Sequence, residues 1–171
     1  MRKVENKKIT ILGAARSGIA AASLLKKMGA IPFVSDSAAE SDKQDCIQKL
    51  RDENIAFEFG GHTDKVFNAD FVVLSPGIPQ KSKVVQSILH KNIPVYSEIE
   101  VASWFIKGGL IAVTGSNGKT TTTTLIGEML KRKYPRAIIA GNIGTPLSGL
   151  VMEDSPENWA VVEVSSFQLE A

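Results

Sequence analysis

The sequence of 171 residues contains one cysteine, two histidines and no long uninterrupted apolar segment. Because Cys46 stands alone, an internal disulfide is excluded, and this sparse cysteine usage is typical of a reducing cytoplasm. Neither His62 nor His90 has a cysteine or a second histidine at ligand spacing, so we expect both at the surface and not in a metal site. No window reaches the about 18 consecutive apolar residues of a membrane span.

Charge is also nearly balanced, since twenty basic residues face eighteen acidic ones and leave a net charge of +2. This value is too small to predict a nucleic-acid or anionic-membrane partner, and small molecules are the expected partners. The N-terminal segment resembles a signal peptide in being basic first and then apolar. However, Arg16 interrupts its apolar part and Gly13 and Gly18 break its helix, so we expect no signal peptide there.

Short apolar segments alternate with segments of helical periodicity, which predicts an α/β fold with parallel sheets. The first part of the chain is predicted to form a Rossmann-like parallel-sheet domain. Its predicted strands cover residues 8–12, 31–35, 71–74 and 94–96, and its predicted helices cover residues 17–28, 41–53 and 81–90. A helix over 98–106, followed by two glycines, predicts a domain boundary after residue 107.

Residues 108–171 are predicted to begin a second α/β domain built around a phosphate-binding loop. We expect a strand at 110–114, a glycine-rich turn, a helix to about residue 133, a strand near 137 and a strand from Trp159. This is fewer strands than the usual four to six or so, so the second sheet is predicted to be incomplete. If the strand from Trp159 were left at the sheet edge, it would expose apolar surface and favour self-association, so we expect the second half to be less stable. The oligomeric state does not follow from the sequence.

The segment TGSNGKTT lies between a predicted strand and a predicted helix, where backbone N–H groups and a helix N-terminus face an anion. The lysine supplies a charge for the β and γ phosphates of ATP, and the first threonine hydroxyl is placed to bind Mg²⁺. Valine at position 113 replaces the leading glycine of the common pattern, so the loop is a variant. The predicted ATP-binding residues are Gly115, Ser116, Asn117, Gly118, Lys119, Thr120 and Thr121.

An earlier turn, GAARSG at residues 13–18, also joins a strand to a helix, and Asp36 ends the next strand. The pattern is similar to a dinucleotide-binding turn, but the Cβ of Ala15 would hinder contact with a pyrophosphate. Arg16 and Ser17 instead offer a cation and a hydroxyl. A nucleoside diphosphate is therefore favoured over NAD, while an NAD-linked oxidoreductase and a nucleotide-binding regulatory module stay open as alternatives.

Three further positions are candidates for ligand contact. Ser75, Pro76 and Gly77 leave a strand at its carboxyl end, where ligands bind in open α/β sheets, although a plain proline turn explains them equally well. Asn142 follows a short apolar strand in a glycine turn. Glu163 is a carboxylate within an apolar strand, which predicts a magnesium role or, as the alternative, a structural salt bridge.

In order along the chain, GAARSG, SDS, SPGIP, SEIE, TGSNGKTT, GNIG and EVSSFQLE resemble the Mur ligases, specifically those that add D-glutamate to UDP-N-acetylmuramoyl-L-alanine in peptidoglycan synthesis. The resemblance implies a cytoplasmic ATP- and Mg²⁺-dependent ligase of cell-wall biogenesis that acts through an acyl phosphate. It also implies that the D-glutamate-binding C-terminal domain is absent, so we expect the chain to be inactive alone.

The resemblance also assigns roles by position. Lys119 and Glu163 would be catalytic, with Thr120 and Glu163 as metal ligands. Ala15 and Ala38 depart from the family pattern, at a glycine and at an arginine that some members carry. The residues implied in binding the UDP-substrate are Arg16, Ser17, Asp36, Ser37, Ser75, Pro76, Gly77, Asn142 and Ser165.

Overall fold

A computed structural model describes residues 3–141, 144–153, 155–165 and 168, which form two parallel sheets. The first sheet has the strand order β3-β2-β1-β4-β5 and the second has the order β6-β8-β7. The first sheet is built from β1 (Lys8–Leu12), β2 (Ile31–Ser35), β3 (Ala56–Glu58), β4 (Phe71–Leu74) and β5 (Val95–Ser97). The second is built from β6 (Gly109–Val113), β7 (Ile138–Gly141) and β8 (Trp159–Glu163).

Helices connect these strands as the α/β pattern predicts. They are α1 (Arg16–Lys27), α2 (Gln44–Asp52), α3 (Lys83–His90), α4 (Glu98–Ser103), α5 (Lys119–Lys131) and α6 (Leu147–Leu150). The predicted bounds of β1, β2 and β4 are confirmed, and the other predicted strands shift by about one residue. The predicted helix over 41–53 is instead a 3₁₀ turn, Glu40–Lys43, followed by α2. None of the helices in the described part of the chain is long and apolar enough to cross a bilayer.

One hydrophobic cluster connects the two sheets. It includes Leu24 and Leu25 of α1, Val101 of α4, Leu147 of α6 and Val162 of β8, all at most 2% exposed. Helix α6 packs against both α1 and α4, so an element of the second unit lies directly on helices of the first. The second unit therefore shares part of its apolar core with the first.

The predicted exposure of the strand from Trp159 at a sheet edge is wrong. β8 pairs with β6 on one side and with β7 on the other, and Ala160, Val161 and Val162 are fully buried. The last strand in sequence takes the central place, so the edges of this sheet belong to β6 and β7. β8 therefore presents no exposed apolar edge through which two chains could associate. The lower stability of the second half stays a prediction.

Gly18 permits the close approach of the two turns that follow β1 and β4. A Cβ at this position would overlap the carbonyl oxygen of Gly13 and lie 2.7 Å from Oγ of Ser75. We expect Gly18→Ala to lower the free energy of unfolding by about 1–3 kcal/mol, because neither the carbonyl nor the buried serine has room to move. Urea denaturation measures this. Gly77→Ala is the matched control, since nothing lies within 4 Å of its added Cβ, and equal losses in both variants would contradict the prediction.

Candidate functional site

The phosphate loop follows β6 and ends where α5 begins, at Lys119. Gly118 caps the helix with a φ of 75°, a left-handed conformation that glycine adopts without strain and that turns the chain into α5. Nζ of Lys119 donates to the carbonyl oxygens of Gly115 at 2.8 Å and of Ser116 at 3.4 Å. The ammonium group therefore lies against the loop backbone, at the N-terminus of α5, where an anion is favoured.

Thr120 and Glu163 meet beside this loop. Oγ1 of Thr120 donates to Oε2 of Glu163 at 2.8 Å, and Glu163 is only 3% exposed at the carboxyl end of β8. In strand register, Glu163 is level with Val113 of β6 and with Gly141 of β7. The central position of β8 thus brings the carboxylate to the phosphate loop from 43 residues away in sequence.

A hydroxyl and a carboxylate oxygen are ligands that fit Mg²⁺, which prefers oxygen. Within the described residues, no group of three or more histidine, cysteine, aspartate or glutamate side chains is placed to hold a metal ion. The hydroxyl of Thr120 and the carboxylate of Glu163 instead fit a nucleotide-dependent magnesium site, in which one or two protein ligands share the ion with substrate phosphates and water.

Asp36 joins two turns of the first unit. Its Oδ2 accepts from the backbone N–H of Ala14 at 2.5 Å, its Oδ1 accepts from that of Ala38 at 2.8 Å, and it is 8% exposed. An acid that binds the ribose of a dinucleotide needs oxygens directed at the ligand. Each oxygen of Asp36 accepts one backbone hydrogen bond and keeps a second lone pair, so these bonds position the carboxylate between the two turns and leave it able to contact a ligand.

The two turns that Asp36 joins present polar groups to solvent. Arg16 and Ser37 are exposed, and Ser17 is half-buried in the first turn of α1. An open cleft of about 530 Å³ lies beside them, lined by residues 14–16 and 41–46. The predicted cation and hydroxyl therefore stand at a helix N-terminus that an anionic group can reach.

His90 is exposed as predicted, whereas His62, also expected at the surface, is only half-exposed because it takes part in a hydrogen-bond network. Oγ of Ser35 lies 2.7 Å from Nδ1 of half-buried His62 and donates to Oε1 of Glu58 at 2.7 Å. Burial acts to raise the pKa of Glu58, but hydrogen bonds from Thr63 and Ser35 outweigh it and lower that pKa. This network ties the segment after β3 to the end of β2. The sequence pattern does not predict β3, so nothing in it places His62 near Ser35.

A second cavity, of about 500 Å³, lies at the carboxyl end of the first sheet. Oγ of Ser75 donates to the carbonyl of Gly13 at 2.9 Å. The two residues that follow, Pro76 and Gly77, are exposed. Across the cavity, Oε1 of Gln168 accepts from the backbone N–H and from the hydroxyl of Ser165, both at 2.9 Å. The cavity is lined by Leu74, Ser75, Pro76, Gly77, Ile78, Pro79, Gln80, Lys81, Ser97 and Gln168.

Sequence reasoning missed several residues of this cavity. Gln80 and Lys81 follow the candidate turn at residues 75–77, and Ser97 ends a strand at the carboxyl edge of the sheet. Their position in the α/β pattern could therefore have indicated that they line the cavity. Gln168 had no such signal. Predicted Asn142 lies outside the described residues, so its place relative to the cavity is not part of the structure.

Two family descriptions match this chain. Residues 7–97 match the Mur ligase MurD-like N-terminal domain, and residues 113–171 match the Mur ligase middle domain. The first match alone covers more than half of the 171 residues. The chain belongs to the Mur ligase family, and its N-terminal part is of the MurD-like type.

Two curated relatives that share one name match nearly the whole of this chain. The UDP-N-acetylmuramoylalanine–D-glutamate ligase of Chlorobium limicola is 48% identical over 98% of this chain and 36% of its own length. The ligase of that name from Salinibacter ruber is 46% identical over 98% of this chain and 37% of its own. The chain thus spans little more than a third of the length of these relatives.

Solved structures agree on the fold. A pseudomurein peptide ligase type C from Methanothermus fervidus is similar with a TM-score of 0.54 and 27% identity, over 95% of this chain and 33% of that one. A UDP-N-acetylmuramate:L-alanyl-gamma-D-glutamyl-meso-diaminopimelate ligase from Neisseria has a TM-score of 0.60 at 20% identity, over 94% of this chain and 55% of its own. The second likeness concerns the fold alone.

Proposed function

We propose that the protein is an ATP-dependent ligase that joins D-glutamate to UDP-N-acetylmuramoyl-L-alanine in peptidoglycan synthesis. The observation that carries the proposal is the pairing of Thr120 with Glu163 beside the phosphate loop, because it would form a nucleotide site, and Gln168, five residues after Glu163, lines the cavity of the first unit. The name shared by the relatives supports the choice of substrates. Residues 1–107 would bind the UDP-substrate, and residues 108–171 would belong to the ATP-binding domain.

The phosphate loop would bind and orient the ATP. Backbone N–H groups of residues 115–118, with Thr121 in the first turn of α5, would hold the phosphates, and Lys119 would balance the charge of the γ-phosphate during transfer. Mg²⁺, held by Thr120 and Glu163, would supply further charge neutralisation at the phosphates when bound. These groups would favour attack of the substrate carboxylate on the γ-phosphorus, which gives an acyl phosphate and ADP.

The amine of D-glutamate would then displace phosphate from the acyl phosphate to form the amide. Ser75, Pro76 and Gly77, with Ser165 and Asn142, would hold the substrate between the two units. Arg16, Ser17, Asp36 and Ser37 would hold its uridine end, with Arg16 and Ser17 placed at the N-terminus of α1, where an anion is favoured. Each residue would thus either stabilise the phosphoryl group during its transfer or hold the substrate whose carboxylate accepts that group.

Calorimetry on the 171-residue chain tests the ligand class. We expect binding of UDP-N-acetylmuramoyl-L-alanine and of UDP, and no binding of NADH, because the Cβ of Ala15 obstructs the dinucleotide turn. Arg16→Ala should weaken UDP binding about tenfold, as loss of a charge-assisted hydrogen bond does. Lys27→Ala, at the opposite end of α1, is the control. Tight NADH binding without a response to uridine ligands would favour the oxidoreductase alternative.

A further inference from the structure

A buried carboxylate joins the two units away from the phosphate loop. Glu98 is the first residue of α4 and is 2% exposed. Its Oε1 accepts a hydrogen bond of 2.7 Å from the backbone N–H of Ser148, the second residue of α6. The two residues are 50 positions apart, and α4 belongs to the first unit whereas α6 belongs to the second.

Helix α6 needs this partner. A helix N-terminus leaves its first N–H groups without intrahelical acceptors, and a side chain at the capping position usually accepts one of them. The capping position of α6 is Pro146, which has no side-chain acceptor and makes no capping bond. Glu98 therefore performs the capping from the other unit, and the start of α6 is attached to α4.

Burial of the Glu98 carboxylate costs stability. Within the described part of the chain, Glu98 forms no ion pair with a lysine, arginine or histidine. Burial raises the pKa of Glu98, and hydrogen bonding from Ser148 opposes this only in part. A glutamine would accept the same bond without the cost of a buried charge.

Both ends of the contact lead to the candidate site. Glu98 directly follows Ser97, which lines the cavity at the end of the first sheet. Helix α6 directly follows the segment that leaves β7 at Gly141, and the N–H of Gly141 donates to the carbonyl of Thr145 at 3.3 Å. Gly141 is in register with Glu163, the partner of Thr120. The contact is thus connected along the chain to the cavity wall on one side and, through β7 and its register with Glu163, to the phosphate loop on the other.

We propose that Glu98 is a positioning residue that caps α6 from the N-terminal unit and so holds the acceptor cavity in line with the phosphate loop. The role rests on the proposed function, because it concerns how a substrate bound by one unit meets ATP bound by the other. A ligand that touches both units depends on the contact, whereas a ligand held by the phosphate loop alone does not.

Calorimetry on the 171-residue chain, with UDP-N-acetylmuramoyl-L-alanine and Mg-ATP as separate ligands, tests the role. Glu98→Ala should weaken acceptor binding about tenfold, because an unsatisfied N–H is left at α6, and should leave ATP affinity within about twofold. Glu98→Gln should restore acceptor binding, since its amide oxygen accepts the same bond. Glu100→Ala is the control, because Glu100 accepts from Nε1 of Trp104 within its own helix segment.

Variants of Ser148, whose backbone N–H donates the hydrogen bond, test the role even if Glu98→Ala does not fold. Ser148→Pro removes the N–H in the first turn of a helix, where proline is tolerated, and should weaken acceptor binding as Glu98→Ala does. Ser148→Ala keeps the N–H and should bind like wild type. Acceptor binding unchanged in Ser148→Pro, or ATP and acceptor binding weakened equally, would overturn the positioning role. A wild-type chain that binds no acceptor would instead contradict the proposed function.

The pH dependence of unfolding gives a second readout. A carboxyl whose pKa is raised in the folded state stabilises the protein most below its unfolded value, about 4.3, and this stabilisation is lost as the pH rises through the folded pKa. Glu98→Gln does not titrate. We therefore expect it to match wild type in acid and to become the more stable protein as the pH rises through the folded pKa of Glu98. A stability difference that does not vary with pH would contradict burial of an unpaired carboxylate.

Discussion

Lys119→Ala in the full-length protein should abolish the proposed ligation while leaving the fold intact. Removing a charge from a transferring phosphoryl group costs about 3 kcal/mol or more, which is a rate loss of at least about a hundredfold. The fold should survive because Nζ of Lys119 bonds to carbonyl oxygens of its own loop and not to a buried partner. Steady-state release of ADP and formation of the D-glutamate product measure the loss.

Lys131→Ala is the matched control for this result. Lys131 ends the same helix and forms an exposed ion pair of 2.7 Å with Glu128, an interaction worth about 0–1 kcal/mol. We expect its turnover to equal that of the wild type. Wild-type turnover in Lys119→Ala would remove the phosphate loop from the reaction and with it the ligase assignment.

Glu163→Gln should lower turnover about a hundredfold, and higher Mg²⁺ concentrations should recover part of the loss. Glutamine has nearly the size of glutamate and its amide oxygen can still accept from the Thr120 hydroxyl, so the strand and its packing should be retained. What is lost is a negative charge that is 3% exposed beside the phosphate loop. Turnover as a function of Mg²⁺ concentration, with thermal unfolding of the same variants, separates charge from stability.

Glu128→Gln is the corresponding control, since it removes an exposed carboxylate from α5 without touching the loop. Its turnover should follow the wild-type dependence on Mg²⁺. If Glu163→Gln also followed the wild-type curve, Glu163 would be a structural carboxylate and the metal would need other ligands.

Most of the first unit was predictable because its strands are short, buried and strongly apolar. β1, β2 and β4 have the predicted bounds. β3 was missed because Ala56–Glu58 is a three-residue edge strand with exposed and half-buried side chains, so it carries no apolar signal. The central place of β8 could not be predicted, since strand order depends on pairings between residues far apart in sequence.

The site was predictable to the extent that its chemistry is local. The turn from β6 into α5 is encoded within TGSNGKTT, and its lysine and threonine lie at the start of the helix as predicted. Asp36 was predicted as a ligand contact because of its position after β2, yet its bonds to Ala14 and Ala38 depend on how two turns fold together. The same holds for His62 and Glu98, whose partners lie 27 and 50 positions away.

The strand order of the second sheet also constrains the timing of chain synthesis. All five strands of the first sheet have been made once Ser97 has left the ribosome, so that sheet can assemble early. In the described structure β6 and β7 touch β8 and not each other. Between the synthesis of Val113 and that of Trp159, β6 therefore has no strand to pair with. During that interval the phosphate loop that follows β6 also lacks its contact with Glu163. Translation itself thus separates the completion of the two halves of the site.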